Sequence, residues 1–116
     1  MANPRKMLND FQNGLENLKE TNGEQVQAFM NMLNDYYQPS SIDTRTKELI
    51  SVSIAAYARC EYCIVYHVYQ ALKAGAEKQE IMDAALTAVA FGGGPAMTYN
   101  VTLVKESLEE FAPDFE

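Results

Sequence analysis

The sequence lacks the features that mark nucleic-acid-binding, membrane and secreted proteins. Nine Lys and Arg residues stand against sixteen Asp and Glu, so the net charge is −7 and we expect repulsion from phosphate backbones, with no nucleic-acid partner. The apolar runs, such as 54–58, are far shorter than the roughly 20 residues of a membrane span. The first residues also lack the apolar segment of a signal peptide. We therefore expect a cytoplasmic protein that does not bind membranes.

Tryptophan is absent, proline occurs only four times, and no strand pattern, repeat or linker is visible. The 47% hydrophobic and 22% charged residues are ordinary for a globular chain, and 116 residues are expected to form one domain over 1–116. Apolar side chains recur at helical spacing, which predicts an all-α, single-domain bundle of about six helices. The predicted helices cover 4–19, 24–36, 44–58, 60–75, 77–91 and 96–111.

The predicted helices are separated by short breaks rich in glycine or proline. The clearest are Thr21-Asn22-Gly23, Gly75 and Gly92-Gly93-Gly94-Pro95. Within the helix over 44–58, the run from Leu49 to Tyr57 is apolar or small on every side, which predicts that the helix is buried all round. This helix and the next expose more apolar surface than a monomer of this size covers, so we expect a homo-oligomer.

Only two cysteines are present, Cys60 and Cys63, and the only histidine follows at His67. On one helix these three side chains fall within an arc of roughly 60°, so they share a face. Residues four apart have Cβ atoms about 5–6 Å apart, which allows Cys63 and His67 to interact. Cys60 falls in the first turn, where unpaired backbone N–H groups favour a thiolate. The pattern favours dithiol redox chemistry.

Glu48 lies twelve residues before Cys60, on the preceding predicted helix. A helical hairpin through Arg59 would bring this carboxylate to face His67. There it would orient the imidazole and stabilise its protonated form, as the third member of a nucleophilic triad does. A solvated carboxylate in the first turn of a helix is the alternative.

Other interpretations of the same residues stay open. Cys60 and Cys63 could be inert, buried thiols, since free cysteine packs like a small hydrophobe. Together with His67 and Glu48 they could also supply four zinc ligands, although one short helix surrounds a tetrahedral ion poorly. A stripe of tyrosines beside the thiols is expected to belong to the core or to a subunit interface. Its members are Tyr62, Tyr66 and Tyr69.

The spacing Glu48-x11-Cys60-x2-Cys63-x3-His67 resembles the signature of AhpD-like alkylhydroperoxidases, within the carboxymuconolactone decarboxylase family. The segment Phe91 to Ala96, before the last predicted helix, also resembles family members, so the resemblance covers about 42–108. It implies an all-helical fold that assembles into trimers or hexamers. Well-known members carry a second histidine where this chain has Tyr62.

The resemblance implies thiol-dependent reduction of a hydroperoxide, with a dithiol reductant as the second partner and no metal, flavin or nucleotide cofactor. Cys63 would be the peroxidatic thiol and Cys60 the resolving thiol, while His67 and Glu48 would form the proton relay. Two other functions are considered. One is decarboxylation of a carboxylated lactone, the lyase activity that gives the family its name, for which an acidic chain with a thiol pair is poorly suited. The other is a non-catalytic, redox-sensing helical protein.

Overall fold

The computed structural model describes residues 2–116, and within this range every regular element is helical, which confirms the all-α prediction. A π-helical turn, Asn100–Val104, joins α5 to α6, and a 3₁₀ turn, Ala112–Phe115, follows α6. Across 2–116, none of the helices combines the length and apolarity of a membrane span. The α-helices are α1 Pro4–Tyr36, α2 Thr44–Ala58, α3 Glu61–Lys73, α4 Lys78–Thr87, α5 Val89–Tyr99 and α6 Lys105–Phe111.

The core lies around α3, which packs against α2, α4, α6 and part of α1. Its fully buried apolar side chains come from every one of the later helices, and each stabilises the fold by about 1.5–3 kcal/mol relative to exposure. The largest are Phe111, Ile64, Ile81, Val52, Val65, Val68 and Val104. The main apolar interior thus joins α2, α3, α4 and α6, while Ala56, Ala88 and Ala96 form a smaller cluster between α2 and α5.

Two residues, Arg59 and Cys60, connect α2 to α3. Arg59 takes a left-handed conformation with φ 56°, and its N–H donates to Ala56 O while the N–H of Cys60 donates to Ala55 O. These two hydrogen bonds satisfy the last carbonyls of α2 in a Schellman motif. The chain reverses at once, so α2 and α3 form the hairpin that the Glu48 spacing required.

The first two predicted helices are one helix in the structure, so the predicted break there is wrong in its extent. Only Asn22 leaves helical torsion angles, with φ −131° and ψ 45°, and α1 bends there and continues. Thr21 and Gly23 are poor helix formers, but neither is a proline that would remove a hydrogen bond from the helix. The pattern over 21–23 therefore indicates a bend instead of a terminus.

The predicted helix over 77–91 and the break after it also differ from the structure. α4 ends at Thr87, and α5 runs from Val89 through the glycines to Tyr99. Within α5 only Gly93 departs from helical geometry, with φ 60°, which a residue without Cβ adopts at low cost. Pro95 lies in the first turn after that kink, where a missing N–H costs nothing.

The prediction that α2 is buried all round is wrong in the single chain, because one face of α2 is exposed. Val52, Ala55 and Ala56 are buried, but Ile54 is 60% exposed and Tyr57 is 53% exposed. Phe91 of α5 is exposed beside them and lines the same shallow groove. Apolar composition on every side of a helix therefore does not by itself tell a core helix from one that keeps an apolar outer face.

The two ends of the chain meet at Phe111. Arg5, near the start of α1, places its guanidinium 5.0 Å from the centre of that ring and forms ion pairs with Glu110 and Asp114. The hydrogen bond from Arg5 lowers the pKa of Asp114 from its ordinary value of 3.8. Because this pKa is depressed, the ion pair contributes to stability above that value and its contribution is lost as the pH falls.

We expect Phe111→Ala to destabilise the fold by about 3–5 kcal/mol, because it leaves a cavity under Arg5 and beside Tyr69. Urea denaturation at pH 7 measures this change. Tyr36→Ala is the control, since Tyr36 is 70% exposed and its loss should change stability by no more than about 0.5 kcal/mol. Equal effects of the two substitutions would contradict this placement of the core.

Candidate functional site

The two cysteines are joined to one another at the start of α3. Cys60 occupies the cap position before the first turn, Cys63 lies in that turn, and their Cα atoms are 5.2 Å apart in a disulfide. Cys63 is exposed, whereas Cys60 is half-buried. The i, i+3 spacing thus places both sulfurs within bonding distance without unfolding the helix. Two unbonded thiols packed in the core do not describe this arrangement.

His67 and Glu48 also meet, as the hairpin predicts. Glu48 Oε1 lies 2.7 Å from His67 Nδ1, and both residues are largely withdrawn from solvent, with 5% of Glu48 exposed. A carboxylate only accepts hydrogen bonds, so Nδ1 is the nitrogen that donates. In the neutral ring this leaves Nε2 as the basic nitrogen. The alternative of a solvated Glu48 carboxylate is wrong.

Two tyrosines hold the imidazole from other directions. Tyr37, the residue after α1, stacks on His67 with ring centres 5.6 Å apart, and Tyr66 meets it edge-on at 5.0 Å. Burial raises the pKa of both phenols, and the negative charge of Glu48 adds to this effect. Both side chains therefore stay neutral at physiological pH.

A small cavity of about 150 Å³ connects the dithiol to the imidazole. Its walls are mostly apolar, and α1 supplies almost half of the residues. The lining residues are Phe11, Phe29, Leu33, Tyr62, Cys63, Tyr66 and His67. No Lys or Arg lines this cavity, so it offers no fixed positive charge to an anionic substrate.

The tyrosine stripe divides into three different environments. Tyr69 packs edge-on against Phe111 and Phe115, in the core as expected. Tyr62 is exposed at the mouth of the cavity, and Tyr66 separates this cavity from a second one of about 230 Å³ that Glu48 lines. Tyr66 therefore belongs to the site, which its helical spacing from the cysteines alone did not show.

Sequence reasoning also missed Tyr37 and the lining residues of α1, because these lie outside the segment that carries the motif. Neither their spacing nor their residue type distinguishes them from ordinary helix residues. Among residues 2–116, no group of three or more His, Cys, Asp or Glu side chains is arranged to hold a metal ion. The four candidate residues are instead paired, sulfur with sulfur and carboxylate with imidazole.

The chain is similar to a known protein family over most of its length. A profile described as the carboxymuconolactone decarboxylase family matches residues 24–106. An uncharacterized protein of Cupriavidus necator is 30% identical over 74 residues, which are 64% of this chain and 66%, less than two thirds, of that protein.

Two crystal structures share the fold over nearly the whole chain. A carboxymuconolactone decarboxylase family protein from Legionella pneumophila, in its apo form, is 26% identical with a TM-score of 0.86, over 94% of this chain and 96% of that one. A family protein from Thermotoga maritima, for which an involvement in antioxidative response has been suggested, is 25% identical with a TM-score of 0.73 and the same coverage.

Proposed function

Because the chain belongs to the carboxymuconolactone decarboxylase family and carries a bonded cysteine pair beside a histidine–glutamate pair, we propose that it is an AhpD-like, thiol-dependent peroxidase. The observation that carries the proposal is the shared cavity of Cys63 and His67, with Cys60 already bonded to Cys63. In this proposal Cys63 is the nucleophile and His67 the proton carrier, both on the cavity wall, and Cys60 is the resolving thiol bonded to Cys63. Hydroperoxides are the proposed substrates.

In the first step, His67 Nε2 takes the proton of Cys63, and the thiolate attacks the terminal oxygen of the hydroperoxide. The O–O bond breaks, Cys63 becomes a sulfenic acid, and the alkoxide leaves with the proton of the imidazolium as an alcohol. Glu48 accepts the Nδ1 hydrogen bond throughout, so it stabilises the imidazolium and fixes the tautomer that presents a basic Nε2.

In the second step, Cys60 attacks the sulfur of the sulfenic acid, the S–O bond breaks, and hydroxide leaves as water with the proton of the Cys60 thiol. The product is the disulfide of the structure. A dithiol reductant then returns two electrons by thiol–disulfide exchange, with attack at the exposed Cys63. The net reaction converts a hydroperoxide and a dithiol to an alcohol, water and the oxidised reductant.

The apolar cavity favours this reaction over decarboxylation of a carboxylated lactone. Such a substrate carries several negative charges and needs cationic partners, yet no Lys or Arg lines the cavity. A hydroperoxide is neutral, and its organic group suits the apolar walls that Phe29 and Leu33 contribute.

Reduction of the Cys60–Cys63 disulfide by a dithiol donor fits a reducing cytoplasm, where we propose that the protein resides.

We expect reduced wild-type protein to lose two hydrogens on treatment with one equivalent of cumene hydroperoxide, because the disulfide forms. Cys60→Ser should gain one oxygen, since the sulfenic acid on Cys63 has no resolving thiol, and Cys63→Ser should not consume peroxide. Intact mass spectrometry under anaerobic conditions reads all three states. A wild-type protein that keeps both thiols in excess peroxide would rule out the proposed function.

Glu48→Gln should slow Cys63 oxidation by about 10²–10⁴-fold, the range of a general-base contribution. Glutamine still hydrogen-bonds the ring but no longer stabilises the imidazolium, so the thiolate titration, followed by its ultraviolet absorbance, should move to higher pH. His67→Gln should cost a similar factor and the double variant little more, because members of one relay are not additive.

Glu20→Gln, an exposed carboxylate on α1, is the control for the loss of one negative charge. It should retain the wild-type rate and titration. Retention of both by Glu48→Gln as well would show that the negative charge of Glu48 has no part in the chemistry.

We also propose a homotrimer or homohexamer, assembled through the exposed apolar face of α2 and α5. This face surrounds a groove of about 330 Å³ lined by Ser53, Ile54, Tyr57, Ala88 and Phe91. Phe91 is 85% exposed in the single chain, so it contributes almost nothing to the core. An apolar side chain of that size left in water is typical of an interface.

We expect Phe91→Asp to reduce the assembly to monomers without unfolding them, because it places a charge in the interface and removes nothing from the core. Multi-angle light scattering at micromolar concentration measures the mass, and circular dichroism checks the fold. Tyr36→Asp, an exposed change on α1, is the control and should leave the wild-type mass unchanged. A wild-type monomer would refute the oligomer.

A further inference from the structure

The segment after α1 is held tightly against the start of α2. Thr44 Oγ1 donates to the carbonyl of Tyr37 at 2.7 Å, and Lys47 Nζ donates to the carbonyls of Tyr36 at 3.0 Å and Gln38 at 2.6 Å. Two side chains of the first turn of α2 thus hold three consecutive carbonyls. The backbone at Tyr37 therefore has little freedom to shift.

The ring of Tyr37 is fixed at its far end as well. Its hydroxyl is hydrogen-bonded to the hydroxyl of Ser51, which in turn donates to the carbonyl of Lys47 at 2.9 Å. Since Ser51 has one proton and gives it to Lys47, Tyr37 donates to Ser51. Burial raises the pKa of Tyr37, so the phenol keeps the proton that this bond requires.

The hydrogen bond to Glu48 fixes only one corner of the His67 ring. A ring held at Nδ1 alone still tilts about that bond and moves Nε2 with it. Tyr37 lies against the face of the imidazole at a 22° interplanar angle, and Tyr66 meets it edge-on at 84°. Contacts on the edge and the face together fix the plane of the ring.

We propose that Tyr37 is a positioning residue for His67. Hydrogen bonds hold its backbone and its hydroxyl, and its stacked ring holds the plane of the imidazole and so directs Nε2 into the cavity that Cys63 lines. Tyr37 does not line that cavity, so it acts through His67 alone. The stacked ring also attracts the imidazolium that forms when Nε2 takes a proton. The titratable groups that face His67 besides Tyr37 include Glu48 from α2 and Tyr62, Cys63 and Tyr66 from α3.

The first test uses the disulfide form, in which no thiolate perturbs the ring. His67 is the only histidine, so its ¹⁵N and ¹H ring signals need no assignment by mutation. We expect cross-relaxation between the ring protons of Tyr37 and His67, together with ¹⁵N shifts typical of the Nδ1–H tautomer. Tyr37→Leu should keep this tautomer, because Glu48 fixes it, but should change the cross-relaxation between the His67 ring and the β-protons of Cys63 as the plane of the ring shifts. Tyr37→Phe should retain the wild-type pattern.

The second test is kinetic, and it rests on the proposed peroxidase function. Tyr37→Leu should lower kcat for cumene hydroperoxide by about tenfold with KM unchanged, because it misplaces the proton carrier but not the cavity wall. Tyr37→Phe should keep kcat close to the wild-type value, since the hydrogen bonds to the backbone carbonyls at 36–38 and the stacked ring persist. The control is Tyr36→Leu, whose side chain is 70% exposed and whose carbonyl is unaffected.

The two tests fail separately. Unchanged cross-relaxation between His67 and Cys63 in Tyr37→Leu, or no cross-relaxation between Tyr37 and His67 in the native protein, would overturn the positioning role whatever the activity. If Tyr37→Leu does not fold, the native cross-relaxation and the Tyr37→Phe spectrum still decide the question. If Tyr37→Leu changes the cross-relaxation between His67 and Cys63 but the wild-type protein consumes no peroxide, the proposed function is refuted and the positioning of His67 by Tyr37 is retained.

Discussion

The site depends on the two-residue reversal between α2 and α3. Arg59 takes the left-handed conformation that ends α2, and the next residue, Cys60, already caps α3. A longer connection would let the helices slide or rotate relative to one another. With this connection the register is set, so Glu48 near the start of α2 faces His67 one turn beyond the cysteines. The backbone strain at Arg59, of about 1–3 kcal/mol, is the cost of joining the dithiol and the relay in one hairpin.

Burial then strengthens the hydrogen bond and the electrostatic attraction between Glu48 and His67. A carboxylate that is 5% exposed loses most of its hydration, and its hydrogen bond to Nδ1 replaces part of that loss. Removing either partner leaves the other buried and unpaired, which is far more costly than breaking a surface ion pair. The same low exposure strengthens the attraction between carboxylate and imidazolium. In the proposed mechanism, a proton that moves from Cys63 to His67 is therefore stabilised by a charge that is already in place.

The sequence determines the parts of the fold that depend on local spacing. The helical periodicity predicts the helices, and the i, i+3, i+7 pattern predicts that Cys60, Cys63 and His67 share a face. Those inferences need only the geometry of one helix. The residues at 21–23 and 92–95 mark a kink without telling whether the helix continues beyond it. The exposed face of α2 depends on contacts between helices. Tyr37 escapes prediction for the same reason, because it is brought to His67 by hydrogen bonds from Thr44 and Lys47.

α1 gives the site what the motif alone does not contain. The cysteines, His67 and Glu48 all come from the hairpin, but Phe11, Phe29 and Leu33 of α1 close the cavity around them. These walls bound the space beside Cys63, which is itself exposed, and they make its surroundings apolar on one side. The bend at Asn22 lies between Phe11 and Phe29, so both halves of α1 reach the cavity. The dithiol and the Glu48–His67 pair thus belong to the hairpin, whereas Phe11, Phe29 and Leu33 of α1 supply apolar walls of the cavity beside them.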